Sequence, residues 1–166
     1  MRWRQGSIDG VRVETPKANE DQRGWLAEAW RSDRGPYRPR MAYVSWTHPG
    51  VTRGPHEHVR QTDYFVFLGA FELRLWDARK GSRTYGVRDD RTLTAPTVVV
   101  VPPGVVHAYR CGAVPGMVLN MPDRLYAGKD KRGKVDEIRH ENDATGRYRW
   151  GPSRGCGAAG ARGAGR

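Results

Sequence analysis

At 166 residues the chain can bury one proper core, so a single domain is expected. Its formal net charge of +11 is supplied mostly by Arg spread along the whole length, with no block of five or six basic residues. That pattern argues against a nucleic-acid-binding arm and favours an anionic small substrate such as a nucleotide or sugar phosphate. Cys111 and Cys156 are too few and too scattered for a disulfide framework or a zinc cluster. No apolar run approaches ~18 residues and the first ten residues lack a signal-peptide core, so the chain reads as cytoplasmic, with no membrane contact.

Residues 1–20 are polar apart from the strand-like Val11-Arg12-Val13. A turn at 21–24 leads into a short apolar stretch, 25–30, too brief to separate strand from helical turn. Residues 31–40, rich in Arg, Pro and Gly, read as a loop. From 42 the β signal strengthens: strands are expected at 42–47, 64–68 and 71–76, the last two joined by the tight turn Gly69-Ala70. In 71–76, Phe71, Leu73 and Leu75 alternate with Glu72, Arg74 and Trp76, giving one drier and one wetter face. A charged loop at 77–86 reads as a hydrogen-bonded corner. The β-branched run 97–101 predicts a strand covered on both faces, followed by strands at 105–110 and 117–121. About eight short strands broken by Gly and Pro predict an all-β barrel or sandwich over 1–150. The Gly, Ala and Arg-rich stretch 151–166 predicts a disordered tail.

The chemistry is concentrated in residues 53–63, where two His, an amide, two acids and two Arg fall within eleven residues. If His56 and His58 share a strand, their i, i+2 spacing turns both rings to one face, where they can serve as metal ligands or as one base beside a substrate-binding neighbour. A third ring, His107, follows in Pro102-Pro103-Gly104-Val105-Val106-His107.

These two segments together resemble the paired motifs of the cupin superfamily, small jelly-roll β-barrels. The resemblance implies that fold and, in metal-dependent cupins, a ligand set falling on His56, His58, Asp63 and His107. A narrower similarity runs through five motifs in order. They are Asp21-x-Arg23-Gly24 with Glu28; Arg53-Gly54-x-His56; Asp77-x-Arg79-x-x-Ser82-x-Thr84-x-Gly86; Pro102-x-Gly104-x-x-His107; and Asn142-Asp143 with Trp150. On these residues the chain resembles the dTDP-4-dehydrorhamnose 3,5-epimerase family, cupins that work without metal or other cofactor.

That resemblance implies a nucleotide-diphospho-sugar substrate whose C3 and C5 protons are acidified by a C4 ketone. Epimerisation then needs a base, a proton donor and a positive group at the developing enolate. The resemblance puts the base at His56, paired with Asp143, and has Arg53 bind the diphosphate or polarise the substrate. His58, Gln61, Asp63, His107, Asn120 and Tyr126 would line the substrate pocket. It also implies a homodimer in which Arg23 and Glu28 reach the partner's pocket. Two positions depart from the family pattern: its Lys falls on Asp63 and its Tyr on Asn120. Three further readings stand beside it. A sugar 3,4-ketoisomerase matches Arg53-Gly54-x-His56-x-His58 with Gln61, and a metal-dependent cupin and a non-catalytic sugar-nucleotide-binding cupin are the others.

Overall fold

The computed structural model describes residues 2–150, and strands supply nearly all of its regular structure. In chain order they are β1 (Arg4–Gln5), β2 (Arg12–Glu14), β3 (Ala18–Asp21), β4 (Gly24–Ala27), β5 (Tyr43–Thr47), β6 (Thr52–Glu57) and β7 (Asp63–Leu68). After them come β8 (Phe71–Asp77), β9 (Val87–Leu93), β10 (Thr97–Val101), β11 (Val105–Cys111), β12 (Gly116–Asn120) and β13 (Ile138–Arg139). A six-stranded sheet runs β1-β9-β8-β11-β6-β13, and a five-stranded sheet runs β2-β10-β7-β12-β5. All pairings are antiparallel except β1 with β9. This is the all-β jelly-roll architecture expected from the strand and turn pattern.

The core lies between the two sheets, where Phe65 and Phe67 of β7 meet Phe71, Leu73 and Leu75 of β8 and Val105 of β11. Phe67 and Leu75 are fully buried, and side chains of this kind contribute about 1.5–3 kcal/mol each on leaving water. The outer faces are covered too. Ala29, Trp30 and Tyr37 lie over Tyr64, Val66, Val98 and Val100 on the five-stranded sheet, and Trp3, Tyr148 and Trp150 lie over Trp76, Val106 and Ala108 on the other. Double coverage explains why β10 is buried at all five positions and why its sequence does not alternate. The charged corner after β8 is built on Asp77. Its carboxylate accepts from Arg79 N (3.1 Å), Nε (2.9 Å) and Nη2 (2.8 Å), and from Ser82 Oγ (2.5 Å) and Thr84 Oγ1 (2.6 Å).

Two strands escape the sequence pattern for physical reasons. β9 reads Val-Arg-Asp-Asp-Arg-Thr-Leu, yet its charges are satisfied across and along the strand. Asp90 bonds Arg74 of β8 at 2.8 Å and Asp89 bonds Arg91 at 2.7 Å. β6 is polar because it forms the wall of the site described below.

The N-terminal segment joins both sheets of its own chain, β1 pairing with β9 and β2 with β10. The β3–β4 hairpin pairs only with itself among the described residues and leaves Trp25 51% and Leu26 65% exposed. Among the described residues no helix is long and apolar enough to cross a membrane. The tail expected to be disordered lies outside the described residues.

Candidate active site

Three imidazoles converge on one end of the barrel. β6 and β11 pair so that His56 stands directly opposite His107, with ring centroids 4.3 Å apart. His58 follows immediately after β6, its ring 5.6 Å from that of His56 and 6.1 Å from that of His107. One nitrogen from each ring lies within 4.8 Å of the other two. The close approach of the two strands depends on Gly54, whose φ is +81° and where a Cβ would lie 2.5 Å from the carbonyl oxygen of His107.

Hydrogen bonds assign two of the three rings. His58 Nδ1 donates to the carbonyl of Asp136, and His107 Nδ1 donates to the carbonyl of Val105 at 3.1 Å. A carbonyl only accepts, so each Nδ1 carries a proton, and Nε2 is the ring nitrogen left to face the cavity floor. Both Nε2 atoms point at one oxygen, Oδ2 of Asp63, at 3.3 Å from His58 and 3.5 Å from His107. The other oxygen of Asp63 accepts from Gln61 Nε2 (2.9 Å) and Asn120 Nδ2 (2.8 Å). Gln61 Nε2 also lies 3.1 Å from His58 Nε2. Asp136 fixes this corner from behind, its Oδ2 accepting from the backbone N–H of Arg60 (2.9 Å) and Gln61 (2.8 Å). The His56 ring makes no hydrogen bond among the described residues.

A cavity of about 740 Å³ opens over this cluster. His56, His58, Gln61, Arg53, Tyr43, Tyr109, Tyr126, Lys131, Glu137 and Arg139 line it. Burial, reinforced by the neighbouring His107 and His58, pushes His56 down to about 2, so its ring is neutral in the empty cavity. Burial also lowers His107, against an opposing pull from Asp63. Tyr43 is 46% exposed overall, but its hydroxyl end is desolvated beside Asn120, whose Nδ2 donates to it at 2.9 Å; its phenol is pushed up to about 12. Burial raises Tyr109 as well, and its hydroxyl lies 3.3 Å from Ser45 Oγ. Both phenols therefore keep their protons and can donate them.

Most of the residues singled out in the sequence meet here. Arg53, His56, His58, Gln61 and Tyr126 line the cavity, and Asp63, His107 and Asn120 form its buried floor. Arg53 is held by Thr47 Oγ1 (2.9 Å) and the carbonyl of Trp46 (3.0 Å).

The expected His56–Asp143 pair is not formed. The oxygens of Asp143 accept from Thr145 N (2.9 Å) and Oγ1 (2.6 Å), closing a local turn. It lines a separate groove with Pro55 and His140. Arg23 and Glu28 do not line the His cavity of their own chain either: Arg23 is bound to Asp21 at 2.6 Å, and Glu28 to Arg31 at 2.9 Å. Sequence reasoning missed Asp136, Tyr43 and Tyr109 as parts of the site. Nothing in their local pattern marks Asp136, which acts through a loop 78 residues from His58.

A family model described as dTDP-4-dehydrorhamnose 3,5-epimerase matches residues 5–145. A probable low-salt glycan biosynthesis epimerase of Haloferax volcanii, Agl13, is 35% identical over 131 residues, covering 75% of this chain and 84% of that protein. The spore coat polysaccharide biosynthesis protein SpsL of Bacillus subtilis is 34% identical over 108 residues, covering 62% of this chain and 71% of its own. Among solved structures, NovW, a 4-keto-6-deoxy sugar epimerase from Streptomyces spheroides, superposes with a TM-score of 0.67 at 28% identity, over 76% of this chain and 69% of NovW. A dTDP sugar isomerase from Desulfovibrio desulfuricans shares the fold with a TM-score of 0.72 at 22% identity, over 83% and 88% of the two chains.

Proposed function

Because the chain belongs to the dTDP-4-dehydrorhamnose 3,5-epimerase family and is an enzyme of the nucleotide-sugar epimerase type, we propose that it moves a proton at a carbon next to the C4 ketone of a nucleotide-linked 4-keto-6-deoxyhexose, with His56 as the base. The observation that carries this assignment is the division of labour among the three rings. His58 and His107 are tied at Nδ1 and aimed at Asp63 by Nε2, whereas His56 faces the cavity with no hydrogen bond to protein among the described residues. A proton leaving C3 or C5 passes to His56 as the enolate forms at the C4 oxygen, and reprotonation of the opposite face inverts the centre.

Tyr43 is the proposed proton donor. Its hydroxyl oxygen accepts from Asn120, which leaves its own O–H free to point into the cavity. Lys131, Arg139 and Arg53 give the cavity wall its positive charge and are suited to a diphosphate. The protein is proposed to work as a homodimer in the cytoplasm, where the exposed β3–β4 hairpin meets a second copy.

Incubation with dTDP-4-keto-6-deoxyglucose in deuterated water should place label at C3, C5 or both, read by mass spectrometry and NMR. Absence of both label and binding with any nucleotide 4-keto sugar would reject the reading. Tight binding without label would identify a non-catalytic binder, and migration of the ketone from C4 to C3 would identify a 3,4-ketoisomerase.

A further inference from the structure

The proposed reaction has a base in His56 and a proton donor in Tyr43, but its enolate oxygen still needs a partner. Asp63, the position on which the family's Lys falls, is an acid whose oxygens face Gln61, Asn120 and the rings of His58 and His107, so the floor does not supply one. Tyr109 stands on the wall instead. It follows His107 by two residues on β11, and both rings meet Phe65 inside the barrel, at 5.5 Å for His107 and 6.0 Å for Tyr109. Phe67 and Phe71 also meet the Tyr109 ring edge-on, at 5.3 and 5.7 Å, and the residue is 5% exposed. Its ring is thus clamped on the apolar side while the residue lines the His cavity, with its hydroxyl 3.3 Å from Ser45 Oγ, another lining group. Tyr43, by contrast, is 46% exposed on an edge strand. A proton donor must regain its proton from water after each turnover, which suits Tyr43. An oxyanion donor must be fixed and dry beforehand, which suits Tyr109.

We propose that Tyr109 is the oxyanion donor of this site, its O–H bonding the C4 oxygen of the 4-keto sugar as the enolate forms, an assignment that rests on the epimerase function proposed above. As the C–H bond at C3 or C5 breaks, its proton passes to His56, its electron pair enters the new C–C double bond, and the ketone's π pair moves onto the C4 oxygen. Tyr109 donates a hydrogen bond to that oxygen and keeps its own proton. With Ser45 Oγ donating to the phenol oxygen, the phenol's O–H is left for the substrate. Arg53, in register with Tyr109 across β6 and β11, adds positive charge to the same wall. Burial, only partly opposed by Ser45 and Arg53, raises the phenol, so it stays protonated at neutral pH.

The test compares the full wild-type chain with Tyr109→Phe on dTDP-4-keto-6-deoxyglucose in deuterated water, reading label uptake by mass spectrometry and inversion by NMR. Phe keeps the ring and its contacts, and circular dichroism with equilibrium binding of the nucleotide sugar checks that the variant is folded and competent. An oxyanion donor acts while the enolate forms, so both rates should fall together, by about 10²- to 10³-fold, with affinity little changed. Tyr43→Phe provides the contrast: label uptake with retained configuration should continue through His56 while inversion falls. Tyr109→Phe exchanging at the wild-type rate overturns the proposal. So does a loss of inversion with label uptake intact, which would make Tyr109 a proton donor, and so does a loss of affinity with the bound-state rate unchanged, which would make it a binding contact. Those three outcomes leave the epimerase function standing, whereas wild-type protein that takes up no label sinks that function and this assignment with it.

Discussion

His56 and His107 occupy directly paired positions on β6 and β11, with ring centroids 4.3 Å apart and planes inclined at 67°, yet only His56 lines the cavity. His107 is 1% exposed and committed at Nδ1 to Val105. His56 opens on the cavity. Two chemically identical side chains, side by side, differ in what surrounds them.

The first prediction follows from that asymmetry. His56→Ala should lower the rate of deuterium incorporation by about 10²- to 10⁴-fold, the usual contribution of a positioned general base, with substrate affinity little changed. Single-turnover exchange measured beside equilibrium binding checks this. A variant that binds normally and exchanges at the wild-type rate would remove His56 from the role. Asp143→Asn, whose parent carboxylate accepts from Thr145, should leave exchange within about twofold of wild type.

Gly54 is the second. A Cβ there would lie 2.5 Å from the His107 carbonyl oxygen and 3.2 Å from Ala108 Cα, and the residue sits at φ +81°. Neither neighbour is the end of a flexible side chain, so β6 and β11 must separate to admit a methyl group. Gly54→Ala should destabilise the fold by about 1–3 kcal/mol and displace His56 from His107. Thermal melting should show the loss of stability, and exchange should fall further than the fraction of folded protein accounts for.

The residues of this site were legible in the sequence because local motifs mark them: Arg53-Gly54-x-His56 and Pro102-x-Gly104-x-x-His107 lie on adjacent strands, and each needs a Gly where the backbone turns or is approached closely. The continuous run in β10 was legible because double burial leaves no reason to alternate. What stayed hidden was whatever depends on long-range pairing. The charges of β9 look like a loop until Arg74 of β8 is set beside Asp90. Asp136 looks like any surface acid until its carbonyl is found on His58 and its carboxylate on two amides. Asp143 shows the opposite error, since its place in a motif says nothing about the Thr145 hydroxyl two residues on.

The Asp77 corner carries the third prediction, a pH dependence. Burial would raise this carboxyl, but donors from Arg79, Ser82 and Thr84 outweigh burial and hold it at about 2 against an ordinary value of 3.8. A folded-state value below the unfolded one means that the carboxylate stabilises the fold above about pH 4 and that this contribution is lost as pH falls towards 2. Asp77→Ala leaves Arg79 and two hydroxyls without their acceptor and should cost about 3 kcal/mol at pH 7, a melting shift on the order of 10 °C. The gap between variant and wild type should narrow steadily in melts taken between pH 4 and pH 2. A gap that is constant with pH would mean that the corner contributes shape and no charge.

The last prediction concerns assembly. The β3–β4 hairpin bonds to no other strand among the described residues, and it carries Trp25 and Leu26 at 51% and 65% exposure. At the edge of the five-stranded sheet, β5 presents Tyr43, Val44 and Trp46 at 46%, 60% and 55% exposure, with no strand on its outer side among the described residues. An exposed apolar hairpin and a free apolar sheet edge are each a liability in isolation, and a second copy of the chain provides both covers at once through a two-fold axis. Removing the first forty residues would not test this cleanly, because β2 belongs to the chain's own sheet and its loss would uncover β10. Charge placed on the hairpin avoids that difficulty. Trp25→Glu with Leu26→Glu should give a folded monomer by sedimentation, and the wild-type chain should sediment as a dimer. Because Tyr43 also lines the His cavity, the monomer should bind nucleotide sugar less tightly. A wild-type monomer with full exchange activity would show that the hairpin serves no partner of its own kind.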